Sequence, residues 1–166
     1  MWKKAIIALL TIVLVLSAVT AWLIAHSDRS LVKARIRDLA DCLSAPPDCT
    51  TAEIARKTSR LRDFFDEETR FAAGPRRREQ TLTPVRIARQ AALLLRRHRA
   101  VATRITRIRI RELRSGRAHA AFTVEMVLEN GVSSIHHSRV EAELRKVNRT
   151  WKFVAFLETE TIEAGN

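Results

Sequence analysis

The chain has 166 residues, room for one ordinary domain, and its 46% hydrophobic content excludes an intrinsically disordered chain. Thirty basic against eighteen acidic side chains give a formal net charge of +12, which points to an anionic partner or surface. Gly and Pro number four each, which excludes long low-complexity linkers, and no internal repeat is visible.

The first 28 residues differ from the rest. Ala5 to Ala25 are uncharged, and 21 helical residues span the ~30 Å hydrocarbon layer of a bilayer. Trp2 and Trp22 lie near the two ends, where aromatic rings favour headgroups. A cleaved signal peptide is the rival reading, but its apolar region typically runs about 7–15 residues. The expectation is an uncleaved single-pass anchor over about 5–25, with a domain over 29–166. Lys3 and Lys4 favour a cytoplasmic N-terminus, opposed by Arg29, Lys33, Arg35 and Arg37. A short tail before a large domain favours the first orientation. The domain is then extracytoplasmic on the cell membrane.

Three helices are expected next. Leu31, Ile36, Leu39 and Leu43 form a stripe over about Ser30 to Ser44, ended by Pro46-Pro47. Thr50-x-x-Glu53 is a capping-box pattern, followed by Ile54, Thr58, Leu61 and Phe65 on one face. Thr83-Pro84 opens the third helix, with Val85, Ala88, Ala91, Ala92 and Leu95 as its stripe. Cys42 and Cys49 flank Pro46-Pro47. In an exported domain this even pair suggests a disulfide, and in a reducing compartment it reads as two unpaired thiols.

Between these helices, Asp63, Asp66, Glu67 and Glu68 form an acidic cluster. They read as helix partners of Arg60, Arg62 and Arg70 rather than as paired acid–base groups. Residues Ala72 to Thr83 read as a loop.

Four strands follow. The first runs from about Thr103 to Leu113, the second carries Ala118, Ala120, Phe122 and Val124 on one face, the third Val140, Ala142 and Leu144, and the fourth Trp151, Phe153, Ala155 and Leu157. A three-residue Arg114–Gly116 loop sets Ile108 opposite Phe122 and Ile110 opposite Ala120. A two-residue Asn148-Arg149 turn sets Leu144 opposite Phe153, Ala142 opposite Ala155 and Val140 opposite Leu157. Near Asn130-Gly131 the apolar pattern calls for a longer loop or a bulge over Ser133–Ser138. In this register Val154 and Phe156 point to the outer sheet face and make a homodimer or partner contact.

Three helices followed by four antiparallel strands make an α+β fold. This order, and the ending from Val140 to Val154, resemble the nuclear transport factor 2-like (NTF2-like) superfamily, a cone of helices on a curved four-stranded sheet. The resemblance covers about residues 29–162. It implies either a binding or assembly module, or an isomerase or dehydratase using the cone cavity. The chain has no Tyr, which removes the tyrosine oxyanion mechanism that the resemblance would suggest.

Candidate catalytic side chains are few. His136 and His137 are consecutive, so on a strand they face opposite ways, and only one can enter the cone mouth as a base. No metal-ligand spacing occurs and no cofactor is expected. Arginine supplies 24 of the 30 cations, and no acid lies between Glu79 and Glu112. Arg86, Arg89, Arg96, Arg97, Arg107, Arg109 and Arg111 make a basic surface whose fitting partner is anionic lipid headgroups. Nucleic acid is disfavoured, because aromatic residues form only 5% of the chain and sit at core positions. The plain alternative is an Arg-rich composition without a partner.

Overall fold

The computed structural model describes residues 13–17, 19–20, 22–23, 27–73 and 78–163. Helix α1 (Asp28–Cys42) starts at Ser27, whose hydroxyl accepts from the Ser30 amide at 3.3 Å. It buries Val32, Ile36, Leu39 and Cys42, while Leu31 is exposed. Helix α2 (Thr51–Leu61) carries the expected capping box: the Thr50 amide donates to Glu53 Oε2 at 2.8 Å, and the Glu53 amide to Thr50 Oγ1 at 3.2 Å. Helix α3 (Pro84–Arg97) has Pro at its first turn and Thr83 as its cap. Its buried stripe is Ile87, Ala88, Ala91 and Leu95, so Val85 and Leu93 are left outside.

The sheet departs from the four-stranded expectation. A 3-10 turn (Arg62–Phe64) leads from α2 into β1 (Phe65–Ala73), and β2 (Arg78–Leu82) precedes α3. Strands β3 (Ala100–Arg114), β4 (Arg117–Asn130), β5 (Val132–Val147) and β6 (Thr150–Glu163) follow. The order is β2-β1-β6-β5-β4-β3, with β1 parallel to β6 and all other pairs antiparallel. The sheet is therefore six-stranded and mixed. Of the acidic cluster expected on a helix, Asp63 lies in the 3-10 turn and Asp66, Glu67 and Glu68 lie on β1, whose Phe65 and Thr69 are buried and whose Phe71 packs on the core.

Registers differ through bulges. The Ser115-Gly116 turn is two residues long, with both φ positive at 51° and 72°, so Arg114 pairs with Arg117. Ile110 still opposes Ala120, because a bulge at Arg111 restores the parity. A second bulge puts Arg107 and Ile108 opposite Phe122, with Arg107 at φ 53°. The Asn148-Arg149 turn forms as expected, and Leu144 pairs with Phe153. A bulge at Val154 then pairs Ala142 with Phe156 and Val140 with Glu158, not with Ala155 and Leu157. Between β4 and β5 no bulge occurs. One residue, Gly131 at φ 80°, turns the chain, and Phe122 opposes Val140 directly.

The inner sheet face meets the helices. One core cluster joins Val32, Ile36, Leu61, Phe64, Phe122, Leu144, Trp151 and Phe153, and a smaller one joins Ala45, Ile54, Leu95 and Val101. Arg35 staples three elements. Its guanidinium donates to the carbonyls of Trp151, at 3.1 Å, and Asp63, and lies 3.7 Å from the Phe64 ring centroid. Both clusters are drawn from residues after the expected anchor. Among the described residues, no helix is long and apolar enough to cross a membrane, and most of the expected segment 5–25 lies outside them.

Candidate functional site

The cone holds a cavity of about 440 Å³. Its floor is the inner sheet face: Ile105 on β3, Phe122 and Val124 on β4, Val140 on β5 and Phe156 on β6. Leu39 and Leu43 close it from the α1 side, and Ile87, Ala91 and Leu94 from α3. Phe71 and Phe156 stack in its wall with centroids 5.2 Å apart, and Phe65 tilts against Phe156 at 6.0 Å. The polar members are Gln80, Gln90 and Thr103. Thr103 is committed, since its hydroxyl donates to the Leu43 carbonyl at 2.9 Å. Gln80 and Gln90 are exposed, which puts their amides at the opening.

Among the described residues lining this cavity none is titratable. Beyond the lining, Ser138 and Glu158 are polar groups on the same sheet face. Ser138 opposes Val124, Glu158 opposes Val140, and the Ser138 hydroxyl donates to Glu158 Oε1 at 2.5 Å. His136 lies further out, opposite Met126, and is exposed. His137 is on the outer face, with Nδ1 3.7 Å from Glu125. The two histidines thus face opposite ways, and neither lines the cavity. Glu158 escaped sequence reasoning because the bulge at Val154 reverses inward and outward positions beyond it. A strand with unpaired parity around Val154–Leu157 was the available signal.

The same reversal corrects the expected interface. Phe156 is inside, packed on Phe153 at 4.8 Å. Val154 stays outside, in a polar groove with Asp66, Arg70, Arg117 and Arg145. Ala155 and Leu157 take the outer positions, where a second groove of about 360 Å³ runs between Arg70, Arg111, His119, Glu141 and Glu143. Ion pairs run along that face: Arg111 pairs with Glu141 at 2.6 Å, Arg70 with Glu143 at 3.5 Å and Arg139 with Glu160 at 3.1 Å. Asp66 is buried and pairs with Arg145, not with a helical arginine.

The basic surface divides into two. Arg109 and Arg111 belong to the outer sheet face, while Arg86, Arg89, Arg96 and Arg97 are exposed on α3, in the helical layer on the other side of the sheet. Arg107 is exposed at its bulge.

Cys42 and Cys49 are free thiols. Cys42 is buried in the large cluster and Cys49 packs on the small one, so they face different parts of the core instead of forming the expected bridge. Burial pushes the Cys42 thiol pKa up, which makes it a poor nucleophile. Among the described residues no group of three or more His, Cys, Asp and Glu is placed to hold a metal ion.

No protein-family profile matches the chain, and no curated protein is similar to it in sequence. Solved structures are similar in fold. A candidate scytalone dehydratase from Novosphingobium aromaticivorans matches 84% of this chain and 89% of its own, with TM-score 0.65 and 14% identity. An NTF2-like protein with a cystatin-like fold from the same organism matches 86% and 88%, with TM-score 0.61 and 14% identity. A hexachlorocyclohexane dehydrochlorinase matches 83% and 89%, with TM-score 0.57 and 12% identity. At these identities the likeness speaks for the backbone alone, and the described domain has the NTF2-like, cystatin-like cone fold.

Proposed function

We propose that the chain is a membrane-anchored module whose cone cavity holds a small, uncharged, mostly apolar molecule without transforming it. The observation that carries this reading is the cavity lining. At about 440 Å³ it falls in the ~300–1,000 Å³ range of small-molecule sites, and its walls are aliphatic and aromatic. Acid–base chemistry needs a titratable group within hydrogen-bond reach of the reacting atom, and the described lining residues include none. The exposed amides of Gln80 and Gln90 suit a neutral polar end on the ligand.

Anchoring is supported by the uncharged run 5–25 and by the described part of it. Val13, Leu14, Val15, Leu16, Trp22 and Leu23 are each more than half exposed, and such a patch calls for an apolar covering. A bilayer supplies it. Lys3 and Lys4 orient the chain with the domain extracytoplasmic.

A second reading is an enzyme of dehydratase or isomerase type. It is favoured by Glu158, a carboxylate bonded to Ser138 on the inner sheet face beside Val140, and by the dehydratase and dehydrochlorinase among proteins of this fold. The test is to purify the full chain from membranes, extract it with organic solvent and identify what is released in stoichiometric amount. A compound recovered with the wild type and absent from Ile105→Trp supports the cavity reading. A compound recovered only from Glu158→Gln, because wild type consumes it, supports the enzyme. Equal recovery from wild type and Ile105→Trp contradicts both.

A further inference from the structure

The fold sorts the arginines by whether acids accompany them. On the outer sheet face Arg70, Arg111 and Arg139 each meet a glutamate and Arg145 meets Asp66, while Arg109 makes no ion pair among the described residues. On the helical side the balance differs. Arg86, Arg89, Arg96 and Arg97 are exposed on α3, and none makes an ion pair among the described residues. No acid lies in α3, and the acid of α2, Glu53, is occupied in its capping box. Helix α2 packs against α3 and adds the exposed Arg56 and Arg60.

Apolar side chains sit among these cations. Leu93 is 60% exposed and Val85 57%. On a helix, Arg86, Arg89, Leu93, Arg96 and Arg97 recur at spacings of three and four and share one face. A row of guanidiniums around an exposed leucine offers phosphate contacts and a shallow apolar insertion together, which is how an interfacial helix engages a bilayer. Nucleic acid would use the cations, but it gives Leu93 nothing, and α3 carries no aromatic side chain to serve as a stacking platform.

We infer that the outward face of α3 rests on an anionic lipid surface, turning the sheet face, where most arginines are paired with acids, away from the membrane. The inference rests on the proposed anchoring. Each cation brought to such a surface contributes about 1 kcal/mol, so a few arginines fix the orientation of a domain that the anchor already holds nearby.

The test uses the full chain with Cys49→Ser and Leu93→Cys, labelled with bimane and reconstituted into vesicles of phosphatidylcholine alone or mixed with phosphatidylglycerol. Brominated lipids act as quenchers, and carbonate extraction reports whether the chain is retained. The expected result is quenching in the phosphatidylglycerol vesicles, reversed by high salt and lost in Arg86→Glu/Arg89→Glu/Arg96→Glu/Arg97→Glu. The salt titration stands alone if that variant does not fold. Retention without quenching, or equal quenching in both lipids, overturns the inference and leaves the anchor intact. Loss of the chain on carbonate extraction overturns the anchor itself. A bimane response to duplex DNA at low salt, without one to anionic vesicles, assigns the face to nucleic acid and overturns the lipid contact.

Discussion

Phe71 on β1 and Phe156 on β6 stack ring on ring, 5.2 Å apart and within 4° of parallel. The pair lies across the parallel seam between β1 and β6, where Phe71 directly opposes Phe156. It builds the aromatic wall of the cavity and depends on the bulge at Val154, which turns Phe156 inward.

Phe156→Ala should therefore behave as a core truncation. A cost of ~2–4 kcal/mol is expected, measured by urea unfolding of residues 27–166. A change within ~0.5 kcal/mol is the surface value, and it would place Phe156 outside.

Arg35 ties α1 to the 3-10 turn and to β6 through two carbonyls and the Phe64 ring. Burial lowers its pKa, yet the group stays charged across the working range. Arg35→Ala should cost ~2–3 kcal/mol, and Arg35→Lys should recover only part, because a lysine cannot fork to both carbonyls. Full recovery by lysine would contradict the fork.

The capping box gives a pH dependence with a definite sign. Hydrogen bonds from the Thr50 backbone and side chain hold the Glu53 carboxyl below the ordinary glutamate value. The folded state thus favours the charged form. Its contribution is present above the unfolded glutamate pKa and is lost as the pH falls through the folded one. Exchange protection of the α2 amides should fall in that acidic window in wild type and stay flatter in Glu53→Gln. Identical profiles would remove the box as the cause.

Cys42 should be slow toward maleimide at neutral pH and become fast in denaturant, while the half-buried Cys49 reacts earlier. Since burial raises the Cys42 pKa, its contribution to stability is complete below the unfolded thiol pKa and is lost as the pH rises toward the folded one. Cys42→Ala should flatten that alkaline slope. Equal labelling rates for the two thiols would contradict the burial.

Local signals in the sequence carried far. Thr50-x-x-Glu53 and Thr83-Pro84 are caps whose chemistry acts within one turn, and Asn148-Arg149 is a turn whose two positive φ values need no distant partner. Parity was harder. Bulges at Arg111 and Val154 each add one residue, and one residue moves every later side chain to the opposite face. That is why strict alternation puts Phe156 outside the cone and leaves Glu158 out of it. Strand β1 was hidden for another reason. Its Asp66-Glu67-Glu68 run satisfies helix patterning with nearby arginines, and β1 is set as a strand by pairing with β2 and with the distant β6. The basic surface was legible as composition but not as two surfaces, because α3 and β3 are adjacent in sequence and lie on opposite sides of the sheet.

The proposed function requires an apolar cavity that binds a neutral ligand. The most direct measurement is a titration of residues 27–166 with the uncharged fluorophore N-phenyl-1-naphthylamine, in parallel with Ile105→Trp. Saturable binding at one site per chain is expected in wild type, with loss of it when the tryptophan fills the cavity. Absence of binding, or equal binding by both proteins, would contradict it.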